Sequence, residues 1–253
     1  MPLHFLLQDA GGGLLSTPTD AQPGDAVALT GAEAHHAVAV RRVRVGEEVT
    51  VGDGRGTWLT AECEAVSPRE VVVRITGRTV TAAPTPRVVL AQALAKGDRD
   101  ELAVQAATEL GVDEILPWRA ARSVSRWDAA KAEKGRARWA AIAREAAKQA
   151  HRTWLPEVAA LGTATTLADR GAASRVVVLE PTAATALTDL ELDSDDVRDV
   201  ILVVGPEGGI APEELVQFER AGAALVRLGD TVLRTSTAGP AALAVVSAAL
   251  GRW

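Results

Sequence analysis

Tyrosine is missing from this chain of 253 residues, and phenylalanine (two), methionine (one) and cysteine (one) are scarce. A single thiol, Cys63, forms no internal disulfide. With only four histidines beside it, no Cys/His spacing for a structural zinc site arises. No basic segment followed by an apolar run opens the sequence, so no secretory signal is expected. Long apolar runs are lacking too. The longest uncharged stretch, Thr235 to Gly251, carries Ser, Thr, Gly and Pro and reads as a buried helix rather than a membrane span. These absences point to a cytoplasmic, metal-independent protein with no membrane partner.

What is present is ordinary globular material. Hydrophobic residues at 47% and charged residues at 24% exclude a disordered chain and leave enough for one large or two modest cores. The net charge of −6 hides an asymmetry that bears on partners. Between 117 and 152 the chain holds ten basic residues (Arg119, Arg122, Arg126, Lys131, Lys134, Arg136, Arg138, Arg144, Lys148, Arg152) against three acidic ones. Such a local excess is the footprint of a polyanion site or of a solvated helix face, and charge alone does not separate the two.

The first 80 residues read as β-rich. Short, partly alternating runs at Val27–Leu29, Glu48–Val51, Trp58–Glu64 and Val71–Ile75 are punctuated by Gly24-Asp25, Gly46, Asp53-Gly54 and Ser67-Pro68, which predicts a small barrel over 1–80. A linker follows at 81–86, where Pro84 and Pro86 deny regular structure. From 87 to 253 strands and helices alternate. Strands are expected at Val88–Leu94, Glu114–Leu116, Arg175–Leu179, Val200–Val204 and Ala224–Leu228. A helix is expected to start on an Asp98/Glu101 capping box, with Leu102, Ala106 and Leu110 on one face and Gly111 at its end. A second, 128–150, should bury Trp139, Ile142, Ala146 and Ala150, and a third opens at Pro212-Glu213-Glu214 and closes at Gly222. The fold class is therefore α/β with a mainly parallel sheet.

Two glycine-bearing segments mark where chemistry belongs. One, Val203 to Ile210, lies between a strand and a helix and contains Gly205-Pro206-Glu207-Gly208-Gly209. The other, Leu228 to Gly239, follows the next strand. Both fall at the carboxyl ends of neighbouring strands, where open α/β sheets bind ligands and where glycines let backbone approach them. Gly-x-Gly-x-x-Gly after the first strand and Gly-x-x-x-x-Gly-Lys-Ser/Thr are both absent. With Arg234 the one cation in the two segments, a neutral or zwitterionic adenine-bearing cofactor fits better than a triphosphate.

Gly205-Pro206-Glu207-Gly208-Gly209, then Leu228-Gly229 and Val232-Leu233-Arg234-Thr235, resembles the signature of the SPOUT methyltransferases. More narrowly, the chain resembles the bacterial family that methylates ring nitrogen 3 of a uridine in 16S ribosomal RNA. The likeness extends through His36 to Val40, Arg42, Gly46 and Asp53-Gly54 of a PUA-like barrel. It continues in Lys96-Gly97, Glu101, Gln105, Glu109 to Val112, Arg122, Gln149, Arg152 and Pro156-Glu157. Three positions depart from the family pattern: Ser236 replaces a glutamate, Ala106 a lysine and Lys148 a glutamate.

The resemblance implies a C-terminal trefoil-knotted SPOUT domain behind a PUA-like barrel. It also implies S-adenosylmethionine as cofactor, a homodimer, and 16S ribosomal RNA, within the small subunit, as partner. It implies cofactor contacts from Leu179, Glu180, Val204, Gly205, Pro206, Glu207, Gly208, Gly209, Leu228, Gly229, Val232, Leu233, Arg234 and Thr237. RNA contacts are implied for His36, Arg42, Arg122, Arg126 and Arg152. For catalysis the candidates are Arg234, to stabilise charge on the uracil carbonyls or hold a phosphate, and Glu207, to accept a proton or bind the cofactor. Each also has a structural reading: Arg234 bonding the backbone, Glu207 shaping its loop. Trp118, Trp127 and Trp154 are either base-stacking groups or core. Methylation of another RNA, or RNA binding without catalysis, are the competing functions.

Overall fold

The computed structural model describes residues 2–7, 20–193 and 195–253. The chain divides into two compact units, Met1–Ala83 with Lys148–Leu155, and Pro84–Ala147 with Pro156–Trp253.

In the first unit, β1 (Leu3–Leu6), β2 (Ala26–Thr30), β3 (Glu48–Gly52), β4 (Thr57–Val66) and β5 (Glu70–Val80) form a sheet ordered β1-β3-β4-β5-β2. A short helix α1 (Gly31–His35) runs on into a π-helical turn, His36–Arg41. Period-two alternation sends Val49 and Val51, Leu59, Ala61 and Cys63, and Val71, Val73 and Ile75 into one core with Phe5, Val27 and Leu29. Among the described residues β1 and β2 remain the edges, so the expected barrel is an open half-barrel.

The segment Lys148–Leu155 completes this unit from far along the chain. The Gly56 amide donates to the Thr153 carbonyl at 2.9 Å, the Leu155 amide to Gly54 at 2.9 Å, and the Trp154 indole to Thr81 at 3.0 Å. Glycine is required at both turn positions. A Cβ on Gly54 would lie 2.5 Å from Leu155 Cδ1, and one on Gly56 would lie 2.3 Å from the Thr81 oxygen, each at positive φ. Lys148 Nζ meets both Glu33 carboxylate oxygens at 3.0 and 3.1 Å, with the side chains 5% and 12% exposed. Lys148 is thus a buried structural charge and no part of a solvated face.

The second unit runs β6 (Val88–Ala93), α2 (Arg99–Glu109), β7 (Glu114–Arg119), α3 (Ala129–Gln149, whose last two residues belong to the first unit), β8 (Glu157–Val158), β9 (Gly162–Thr163) and α4 (Ala164–Arg170). It continues with β10 (Arg175–Leu179), β11 (Thr185–Ala186), β12 (Val200–Val204), α5 (Pro212–Arg220), β13 (Ala224–Arg227) and α6 (Thr235–Ala249). The sheet order is β11-β13-β10-β12-β6-β7-β8, with β9 on β7, and every pairing is parallel. Parallel sheets are covered on both faces, and the strands show it. Leu90, Val177 and Leu202 point to α2, α3 and α6, while Val89, Val178 and Ile201 point to Leu167 of α4 and Phe218 of α5.

Three local expectations are corrected. Asp98 makes no capping bond; Asp100 Oδ2 accepts the Ala95 amide at 3.1 Å instead, and Glu101 pairs with Arg138. The buried face of α2 is Ala103, Val104, Ala107 and Thr108, leaving Leu102 50% exposed. In α3 the buried residues beside Trp139 and Ala146 are Ala143 and Ala147, with Ile142 half-buried and Ala150 exposed. In α2 the buried face lies one residue on from the expected one, whereas in α3 Trp139 and Ala146 are buried as expected and only Ile142 and Ala150 give way to Ala143 and Ala147.

Candidate active site

β10, β12 and β13 end side by side, and the segments that leave them enclose a cavity of about 380 Å³. Leu179, Glu180 and Pro181 line it from β10, Val204–Glu207 with Gly209 and Ile210 from β12, and Leu228 and Thr231–Arg234 from β13. Thr235 and Ala238 of α6, Val226 and Arg99 of α2 close it.

Few groups in this wall are left to rotate freely. The Trp118 indole donates to the Val204 carbonyl at 3.0 Å, and Thr235 Oγ1 donates to the Gly205 carbonyl at 2.8 Å. Gln92 Nε2 donates in turn to Thr235 Oγ1 at 2.8 Å. A Cβ on Gly205 would lie 2.7 Å from Ile210 Cγ1, so the loop folds onto itself only with glycine there. Gly209 takes φ +71 and its amide closes a turn on the Pro206 carbonyl at 2.9 Å. Glu214 bridges the start of α5 to the segment that leaves β7, accepting the amides of Ala211 at 3.1 Å and Ala121 at 2.8 Å.

Glu207 Oε1 accepts the Lys96 amide and Arg99 Nη1, both at 3.0 Å. Burial pushes its carboxyl up, but its own amide, the Lys96 amide and the Arg99 guanidinium outweigh that and hold it below the usual carboxylate range. It is a charged clamp on its loop.

Two sequence families match the chain: the RNA methyltransferase domain over residues 82–247 and the RNA methyltransferase PUA domain over residues 29–76. Ribosomal RNA small subunit methyltransferase E of Mycobacterium tuberculosis is 40% identical over 235 residues, 91% of this chain and 89% of its own. The Bacillus subtilis protein of that name is 32% identical over 226 residues, 87% and 88% of the two chains. The chain belongs to the ribosomal RNA small subunit methyltransferase E family. A solved member, from Neisseria gonorrhoeae and bound to S-adenosyl methionine, aligns with a TM-score of 0.83 at 28% identity over 98% of both chains. The matched models set an α/β RNA methyltransferase domain behind a PUA-like domain, the order of the two units along the chain.

Against this background the individual residues separate. Of the cofactor residues that methyltransferase E likeness implies, Gly208, Gly229 and Thr237 lie outside the cavity wall. A Cβ on Gly208 would meet Arg122 Cβ at 3.2 Å rather than the cavity. Arg234 is exposed in the wall, and its side chain makes no hydrogen bond or ion pair with any described residue. Arg122 Nη1 donates to the Gly208 carbonyl at 3.2 Å, bracing the loop from outside.

Arg126 is exposed in the second unit, whereas His36, Arg42 and Arg152 belong to the first. His36 packs edge-on to Phe5, and Arg42 is exposed at φ +55 where the π-helical turn ends. Trp118 is fully buried against Phe218, Trp127 packs edge-on to Trp139, and Trp154 bonds Thr81, so the three serve packing. Arg99 and Thr235 went unassigned in the sequence. Arg99 meets Glu207 across 108 positions, a pairing no local pattern announces.

Proposed function

We propose that this chain transfers a methyl group from S-adenosylmethionine to ring nitrogen 3 of a specific uridine in 16S ribosomal RNA. It works as a cytoplasmic homodimer on RNA of the small subunit. The broader activity, that of a ribosomal RNA methyltransferase using this cofactor, follows family membership. The observation that carries the reading is the cavity walled by the segments leaving β10, β12 and β13.

The residues present suit the cofactor. A volume of about 380 Å³ falls in the range of small-molecule sites, roughly 300–1,000 Å³. Leu179, Val204, Leu228, Val232 and Leu233 supply an apolar wall for an adenine, and the glycine-bearing loop supplies backbone groups. Glu180 receives Thr182 through Oε1 alone, so Oε2 is left to accept a ribose hydroxyl. Gly208, Gly229 and Thr237 act one step back, through the loop and helix that carry the wall.

Bound S-adenosylmethionine supplies an electrophilic methyl carbon on a sulfonium. Transfer to a ring nitrogen is an in-line displacement, so the clamped loops contribute alignment. Uracil nitrogen 3 carries a weakly acidic proton, and its loss to solvent water leaves negative charge on the flanking carbonyls. Arg234, exposed in the wall and unpaired among the described residues, stabilises that charge. Glu207, held as a carboxylate by Arg99, keeps the loop in position and is a poor proton acceptor. Arg122 and Arg126 from the second unit, and His36, Arg42 and Arg152 from the first, contact RNA.

The test incubates the purified protein with small subunits, and separately with naked 16S RNA, and labelled S-adenosylmethionine, followed by digestion and mass spectrometry. 3-Methyluridine at one position is the expected product. Label on another base or another RNA refutes the substrate assignment, and cofactor binding by calorimetry without transfer refutes catalysis.

A further inference from the structure

The geometry points to Gln92 as a positioning residue for cofactor binding, acting through the Thr235 hydroxyl on the Gly205 carbonyl. This rests on the reading that the cavity takes S-adenosylmethionine. Gln92 lies on β6, is fully buried, and is not in the cavity wall. Its amide donates to Thr235 Oγ1 at 2.8 Å and to the Ala93 carbonyl at 3.3 Å. The Ala93 carbonyl only accepts, which fixes the amide with its nitrogen on that side. Thr235 Oγ1, already accepting from Gln92, turns its own proton to the Gly205 carbonyl at 2.8 Å. Three elements distant in sequence, β6, the end of β12 and the start of α6, are thereby tied through two directional bonds. With the Trp118 bond to Val204, both peptide planes flanking Gly205 are fixed at the mouth of the glycine loop.

The other end of Gln92 carries a cost to the fold. Its Oε1 is buried and has no hydrogen-bond partner among the described residues. An amide buried with an unpaired oxygen costs a fold free energy that a leucine of similar size would not. What leucine would lack is the donor that orients the hydroxyl. Without it, Thr235 Oγ1 is free to rotate its proton away from Gly205, and the loop carbonyl loses its restraint.

Calorimetric titration of the wild type, Gln92→Leu, Thr235→Val and Thr235→Ser with S-adenosylmethionine tests this, beside thermal melts of the cofactor-free proteins. Gln92→Leu should bind about tenfold more weakly, the size of one lost hydrogen bond, while its cofactor-free Tm stays level or rises. Thr235→Val should bind more weakly still, and Thr235→Ser, which keeps the hydroxyl, should bind as the wild type does. A wild-type Kd for Gln92→Leu overturns the inference while leaving the cavity reading intact. So does a weaker Kd matched by a lowered Tm, or a Thr235→Ser protein as weak as Thr235→Val. A wild type that does not bind S-adenosylmethionine refutes the cavity reading, and the inference falls with it.

Discussion

The loops that leave β12 and β13 and the basic segment 117–152 both carry residue types expected of a binding site, but the fold uses them differently. In the loops the cavity wall is backbone and apolar side chains together with Glu207 and Arg234, and strand order and glycine placement decide where they sit. In the basic segment the groups are long side chains, and several are answered by acids. Lys131 pairs with Asp128, Arg136 with Glu133 and Arg138 with Glu101, while Lys148 is buried on Glu33. Arg126 stays exposed, and Arg122 is partly committed to the Gly208 carbonyl. A count of charge along the chain therefore overstates the field at the surface, whereas the glycine segments mark the cavity by position even though only Gly205 and Gly209 line it.

The largest test of this contrast removes Lys148. Lys148→Met should destabilise the protein by about 3–5 kcal/mol, because it strips the ammonium from a buried carboxylate. Adding Glu33→Leu should recover most of that loss in a denaturant melt. If Lys148→Met melts like the wild type, Lys148 belongs to the solvated charges after all. Next comes Gly205→Val, which drives a side chain into Ile210. Calorimetry should show S-adenosylmethionine binding at least about a hundredfold weaker, some 2.7 kcal/mol, and a smaller loss would mean that the loop is not the mould of the cavity.

Smaller effects separate free from paired arginines. Arg126→Ala should flatten the dependence of log RNA affinity on log salt by roughly 0.7, the amount for one phosphate contact to single-stranded RNA. Arg138→Ala should leave that slope closer to wild type, since Glu101 already answers its charge. Equal slopes for the two would erase the distinction. The smallest effect is in pH. The Glu207 carboxyl is held below its ordinary value, so its clamp on Arg99 is fully present above the ordinary carboxylate range. The clamp is lost only as pH falls through the lowered value. Cofactor affinity should be level from neutrality down to that range and fall below it, and Glu207→Gln should remove the fall.

Much of the architecture was legible because strands buried on both faces read as short continuous β-branched runs. Arg175–Leu179 and Val200–Val204 have the bounds their β-branched runs predict, and Gly111 and Gly222 end helices at φ +96 and +83. Helix faces were less legible. In α2 small residues carry the packing and a pattern keyed to Leu102 picks the wrong phase, whereas in α3 the large Trp139 marks the buried face. The cavity wall was largely readable from the order of strand, glycine loop and helix. Pairings across long sequence separations were not. Nothing near Glu207 announces Arg99, nothing near Thr235 announces Gln92, and nothing near residue 33 announces Lys148.

The late return of Lys148–Leu155 to the first unit means that the backbone passes between the two units three times. The N-terminal unit is consequently not a detachable module. A gene fragment ending at residue 83 would encode Glu33 without its ammonium and the Gly54–Gly56 turn without the segment it bonds. Recombination that exchanges such domains between relatives must carry both pieces together. A protease that nicks the chain after Ala83 would sever one of three covalent threads, and the released end would still be held by the bonds to Thr153, Trp154 and Leu155.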